Sequence, residues 1–177
     1  MSMFEQGAIG NNHFLSDVLR LRTAAQEMIA KDMGPLPLLQ AAMSAEIACV
    51  LRYSMIAVSA EGLENDWVAT ECAAQAADER SHMVRLAQRI IELGGKPDYF
   101  VADLATRRAA PDSATGSLSR LFSENLAAER AVIELYRELA WYFSGRDEKT
   151  CVLLEDILAD EETHTNDMED LLATQLI

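Results

Sequence analysis

The sequence predicts an all-α protein. Two antiparallel helical hairpins, joined by a long crossover, form a four-helix bundle, with an extra helix at the N-terminus and no fifth C-terminal helix. Three observations lead there. Half of the 177 residues are apolar, only 6% are aromatic, and there are just 8 Gly and 4 Pro, a composition that favours helices. Four long stretches repeat apolar residues at steps of three and four. A Glu followed three residues later by a His occurs twice, at Glu79–His82 and Glu161–His164, and uses two of the three histidines.

Residues 1–12 read as a loose tail. A short amphipathic helix is expected over 13–33, with Leu15, Val18, Leu19, Ile29 and Met33 for its stripe. Gly34-Pro35-Leu36-Pro37 stops it, and the prolines suit the opening turn of the next helix. This divides the chain into a tail and short helix, 1–35, and a main domain, 36–177. A helix over 36–61 carries Leu39, Met43, Glu46, Val50, Tyr53 and Ala57 on one face, so Glu46 interrupts an apolar stripe. After a turn at Gly62 to Asp66, a helix to 93 presents Cys72, Gln75, Glu79, His82, Leu86 and Ile90. Gly94-Gly95 caps it and Pro97 prevents its resumption. The connector from Gly94 to Gly116, with a short helical turn expected around 99–106, exceeds the usual length between neighbouring helices and can cross the bundle's full height.

The third bundle helix, 117–144, places Phe122, Asn125, Glu129, Val132, Tyr136, Leu139 and Phe143 inward. Gly145 closes it, and Asp147 is the N-cap of a last helix to 174 that carries Leu154, Ile157, Glu161, His164, Met168 and Leu171. The hairpin lengths align the polar interruptions. Glu46 lies 16 residues before Gly62 and Glu79 lies 13 after Asp66, or ~24 Å and ~20 Å at the helical rise. Glu129 lies 16 before Gly145 and Glu161 lies 14 after Asp147. Four carboxylates and two imidazoles therefore fall in one layer of the core.

Buried carboxylates at one height repel one another unless they protonate or hold cations. Four carboxylates and two neutral imidazoles balance two divalent ions. Mixed oxygen and nitrogen ligation suits iron or manganese, and no thiolate falls in the Glu and His frame to suggest structural zinc. One Glu-x-x-His pair alone is usually a solvated i,i+3 pair; two, with two lone glutamates at the same height, define a two-metal pattern.

Net charge is −14 and the pI about 4.5. Such a field repels nucleic-acid phosphates and anionic membranes and attracts cations, so neither nucleic acid nor membrane is an expected partner. No uninterrupted apolar run approaches a membrane span, and no signal peptide is evident, so a cytoplasmic location is expected. Cys49, Cys72 and Cys151 read as reduced core thiols.

The sequence resembles the ferritin-like di-iron proteins, most of all bacterioferritin and its Dps-like relatives. The resemblance spans about 38–172 and rests on A-E-I-A-C-V-L-R-Y at 45–53, D-E-R-S-H at 78–82, A-A-E-R at 127–130 and I-L-A-D-E-E-T-H at 157–164. It implies a ferritin-like bundle in which Glu46 and His82 are terminal ligands of one iron, Glu129 and His164 of the other, and Glu79 and Glu161 bridge. Tyr53 stands where bacterioferritins carry a tyrosine beside the site, either to hydrogen-bond a ligand or to donate an electron; a plain core tyrosine is the alternative. Arg80 occupies the position of the haem-ligating methionine, so no haem is expected. The resemblance implies a ferroxidase and iron-storage protein that takes Fe2+ and either oxygen or hydrogen peroxide, as a homo-oligomer. A twelve-subunit cage is favoured over a dimer. A manganese catalase-like, peroxidase or oxygenase activity without storage remains the alternative.

Overall fold

The structure, a computed structural model, describes residues 13–61, 66–99 and 118–175. These form α1 (His13–Ala30), α2 (Pro35–Glu61), α3 (Asp66–Glu92), α4 (Leu118–Phe143) and α5 (Glu148–Gln175). The strongest pairings are α2 with α3 and α4 with α5; weaker contacts of α2 with α4 and of α3 with α5 join the two pairs. The loose tail at 1–12, the turn at 62–65 and, apart from Tyr99, the helical turn expected at 99–106 lie outside the described residues.

The expected architecture, with an extra N-terminal helix and no fifth C-terminal helix, needs correction. The described residues form five α-helices, and the fifth, α5, is a C-terminal helix reaching Gln175. The reason lies in α1, which is a packed member of the array. It lies against both α4 and α2 and fully buries Val18 and Ala25. Arg22 donates to Glu138 Oε1 from Nε at 3.0 Å and from Nη2 at 2.6 Å, and Gln26 donates to the same oxygen at 2.9 Å. The expected α1 stripe is also corrected. Leu19 and Met33 are exposed, Leu15 and Ile29 are only partly buried, and α1 ends at Ala30.

Burial follows the expected phase in the other helices. Phe122, Asn125, Glu129, Val132, Tyr136, Leu139 and Phe143 of α4 are all buried, as are Leu154, Ile157, Glu161, His164 and Met168 of α5. In α2, Val50 is only half-buried and Cys49 is fully buried instead. By length and composition alone α2, with 27 residues, is long and apolar enough to pass for a membrane span. That qualifies the expectation from its uninterrupted runs. In the fold, its apolar residues pack against α1, α3 and α4.

Two end structures hold the helices in register. At the end of α3, Gly94 takes φ 80° and Gly95 N–H donates to Ile90 O at 2.9 Å, a Schellman closure that needs the left-handed conformation glycine supplies. At the start of α5, Asp147 Oδ1 accepts the Thr150 N–H at 3.2 Å, as an N-cap should. Arg89 of α3 donates to both Asp147 oxygens at 2.9 and 2.7 Å. Burial would raise the Asp147 pKa, but the Thr150 and Arg89 contacts outweigh it and hold it below the usual carboxylate range.

Asp147→Ala should therefore lower unfolding free energy by about 1–2 kcal/mol, as loss of a helix cap does. Because the folded pKa is depressed, the Asp147 contribution is complete above the ordinary aspartate range and is lost as pH falls through the folded value. Urea unfolding of both proteins at neutral and acidic pH checks this: the gap should narrow on acidification.

Candidate metal centre

Each of the four long helices contributes one glutamate that interrupts its apolar stripe. Glu46 from α2, Glu79 from α3, Glu129 from α4 and Glu161 from α5 are each 0% exposed. His82 and His164 follow Glu79 and Glu161 by three residues, one helical turn along the same face, and are buried beside them. The two imidazole rings lie with centroids 6.0 Å apart and planes inclined at 30°.

The two central carboxylates reach both imidazoles. Glu79 approaches His82 Nδ1 with Oε2 at 3.3 Å and His164 Nδ1 with Oε1 at 3.2 Å. Glu161 approaches the same two nitrogens with Oε1 at 3.1 Å and Oε2 at 3.5 Å. Glu46 Oε2 lies 3.3 Å from His82 Nδ1. One ligand atom each from Glu46, Glu79, His82 and Glu161 gather within 4.8 Å of one another, as do one each from Cys49, Glu79 and Glu129. Glu129 thus joins the centre beside Cys49 and Glu79, and His164 joins through its contacts with Glu79 and Glu161.

Both histidines turn Nδ1 inward, and their outer nitrogens meet aspartates of the opposite helix. His82 Nε2 lies 3.1 Å from Asp160 Oδ2, and His164 Nε2 lies 3.6 Å from Asp78 Oδ2. A carboxylate on the outer nitrogen fixes the tautomer and aims the inner nitrogen at the centre. Sequence reasoning missed both aspartates, although each directly precedes a central glutamate in a repeated Asp-Glu-x-x-His run.

A tyrosine was missed as well. Tyr136 of α4 is fully buried and donates its hydroxyl to Glu46 Oε1 on α2. Its signal was available, since Tyr136 follows Glu129 by seven residues and Tyr53 follows Glu46 by the same seven. Tyr53 is also fully buried, and its hydroxyl has no hydrogen-bond partner. It lies near enough to Glu129 to favour the carboxylate form, although neither group meets the other in hydrogen-bonding geometry. Arg80 is exposed on α3, turned away from the buried Glu79.

Charge in this layer is shared unevenly. Burial, then the Glu161 and Glu46 charges, push the Glu79 pKa well above the usual range. Burial, then Glu161, does the same to Glu129. Burial would also raise Glu161, but its contacts with His164 and His82 outweigh it and bring it to about 2. Burial would lower His164, but Glu161 and Glu79 raise it to about 11; His82 is raised likewise by Glu161, Glu46 and Glu79. The Cys49 thiol is pushed well up by burial, then by Glu129 and Glu79. In the metal-free layer, protons therefore do the work of cations.

The donor set fits metal ions. Glu46 Oε2, both oxygens of Glu79 and of Glu129, Glu161 Oε2 and His164 Nδ1 are buried without a hydrogen-bond partner. Buried polar atoms normally have one. Six carboxylate oxygens and an imidazole nitrogen, left over at one height, form a carboxylate-rich set of the kind that takes divalent iron or manganese.

A helical array with a buried layer of four glutamates and two histidines has the ligand pattern of carboxylate-rich metal-binding helical bundles. The chain matches the Ferritin-like domain over residues 36–177 and belongs to that family. It is 31% identical over 140 residues to the DNA protection during starvation protein of Pyrococcus furiosus, covering 77% of this chain and 76% of that one. Among solved structures it resembles a dodecameric thioferritin, the bacterioferritin-related protein of Bacteroides fragilis, at 31% identity and TM-score 0.68, covering 91% of this chain and 94% of that one. It also resembles the bacterioferritin of Mycobacterium tuberculosis, at 26% identity and TM-score 0.67, covering 79% and 86%.

Two predictions follow from this geometry. Tyr136→Phe removes the hydroxyl on Glu46 and should weaken divalent metal binding roughly 10- to 100-fold, the usual cost of losing a partner that orients a ligand. Anaerobic titration of the metal-free protein with Fe2+ measures it. Metal uptake at neutral pH should also release protons from His82, His164, Glu79 and Glu129. Because these pKa values are raised, affinity should rise with pH, and pH-stat titration reads both effects.

Proposed function

We propose that this protein is a ferroxidase and iron-storage protein whose substrate is Fe2+, bound in pairs at the Glu46, Glu79, His82, Glu129, Glu161 and His164 layer. The observation that carries the reading is the pair of central carboxylates. Glu79 and Glu161 each present one oxygen near His82 and the other near His164. Such carboxylates would bridge two ions, with Glu46 and His82 terminal on one and Glu129 and His164 on the other. Bound iron supplies one-electron redox chemistry. Two Fe2+ ions yield two electrons, and hydrogen peroxide takes those two electrons with two protons to give two waters; oxygen is the other candidate oxidant.

The chain's residues bind, orient and neutralise. Asp160 and Asp78 aim the imidazoles, Tyr136 holds Glu46, and Glu79 and Glu129 surrender protons as the cations arrive. Tyr53, buried against the layer, is positioned to donate an electron or a hydrogen bond. The net charge of −14 attracts Fe2+. A homo-oligomer of the cage type, located in the cytoplasm and without haem, completes the reading. The homo-oligomer is supported by the dodecameric assembly named for the Bacteroides fragilis relative. Exposed Val58, Trp67 and Trp141 are apolar surface that other copies would cover.

Glu79→Ala should abolish rapid Fe2+ oxidation while far-ultraviolet circular dichroism stays helical. Glu162→Ala should leave the rate near wild type, because Glu162 is exposed and pairs with Arg137 at 2.7 Å. Equal loss in both variants would sink the bridging role. Solution mass with metal content per chain separates storage from catalysis alone. A hollow oligomer that takes up many irons per chain supports storage. A dimer that stops at two metals and turns over peroxide supports the manganese catalase-like or peroxidase alternative.

A further inference from the structure

The Glu-x-x-His frame has a third relative, in which sulfur replaces imidazole. Glu46-Ile47-Ala48-Cys49 on α2 repeats the spacing of Glu79–His82 and Glu161–His164, whereas on α4 the position after Glu129 is the apolar Val132. Residues three apart share a helix face. Because Glu46 faces the layer, Cys49 does too. Its thiol is free and fully buried, and Sγ gathers with one carboxylate oxygen each from Glu79 and Glu129 within 4.8 Å. Two ligands of one ion, at ~2.3 Å for sulfur and ~2.1 Å for oxygen, stand at most ~4.4 Å apart. The group is therefore at or near ligating separation.

A buried cysteine is ordinarily a small core hydrophobe, and sequence reasoning read Cys49 that way. The carboxylates beside it point to something else. Both oxygens of Glu129 and both of Glu79 are buried without a hydrogen-bond partner. Cys72 and Cys151 have no such company: among the described residues neither joins a metal-holding group, and Cys151 donates to Ala140 O at 3.4 Å.

We propose that Cys49 is a thiolate ligand of the metal ion held on the Glu79–Glu129 side of the centre, so that this position offers a mixed sulfur and oxygen donor set to divalent cations such as Fe2+ and Co2+. The proposal rests on the two-metal reading above. The step is an acid–base exchange: the S–H bond breaks, a sulfur–metal bond forms, and the proton leaves to solvent without electron transfer. Sulfur ligation makes the two metal positions unequal, since the His82 side offers only oxygen and nitrogen.

The test is anaerobic loading of the full-length metal-free protein with Co2+. Visible ligand-field bands report binding, and a near-ultraviolet band reports sulfur-to-cobalt charge transfer. Wild type, Cys72→Ser and Cys151→Ser should show both. Cys49→Ser should keep the visible bands and lose the near-ultraviolet band, and Cys49→Ala, which leaves the core apolar, should behave the same. Visible bands with no charge transfer in wild type, or charge transfer that survives both Cys49 variants, would overturn the sulfur ligand and leave the two-metal reading standing. Absence of both bands in wild type would overturn both readings.

Discussion

Four carboxylates at zero exposure and one height set the terms for this fold. Ionised together and alone they would cost far more than a domain's whole stability margin. In the metal-free protein the cost is avoided by distribution. Glu161 stays ionised between two imidazoles whose pKa values are raised, while Glu79 and Glu129 are pushed toward the neutral acid. Protons hold the places that cations would take. A layer built in this way is stable enough to fold around, yet it leaves several buried lone pairs without partners, so the apolar packing above and below has to supply the stability. Tyr136, Phe122, Leu139 and Leu154 are among the fully buried side chains that do so.

The layer is also completed across the two helix pairs. Tyr136 of α4 serves Glu46 of α2, Asp160 of α5 serves His82 of α3, and Asp78 of α3 serves His164 of α5. Glu46 and Tyr53 on α2 repeat as Glu129 and Tyr136 on α4 at one spacing, and Asp-Glu-x-x-His repeats on α3 and α5. This is an internal two-fold pattern in which each pair's ligands are oriented by the other pair. Each histidine's outer nitrogen is met by an aspartate of the opposite pair, so the centre is complete only where the two helix pairs are packed together. The helix α1 breaks the pattern. It packs on α4 and α2, and Arg52 of α2 lies 5.7 Å from the Phe14 ring.

What was legible in the sequence follows from this symmetry and from helix length. Long helices with one buried face declare their phase, so α3, α4 and α5 match their expected stripes closely, and the Asp147 cap was readable from residue type. The short α1 misled. Its contact with α4 and α2 centres on Val18 and Ala25 and leaves Leu19 outward, Met33 lies beyond its end at Ala30, and its packing makes the array one of five helices among the described residues. Asp78 and Asp160 were overlooked because exposed aspartates on a helix look solvated, and only the tertiary pairing of α3 with α5 gives them histidines to orient. Tyr136 was hidden for the opposite reason. In an apolar stripe an aromatic reads as packing, and its hydroxyl's partner sits 90 residues away in the chain.

The same symmetry shows where the two halves differ. If the layer were a strict repeat, the residue after Glu46 and the residue after Glu129 at the third position would be alike, and both would be packing residues. They are Cys49 and Val132, both fully buried and of similar bulk, so packing alone accepts either. The difference is chemical. Cys49 stands among Glu79 and Glu129 oxygens that have no hydrogen-bond partner, and a sulfur donor beside carboxylates changes which cations one position prefers. With Cys49 as a ligand, only the Glu79–Glu129 side would combine sulfur with oxygen, because Val132 on α4 offers no donor to match it.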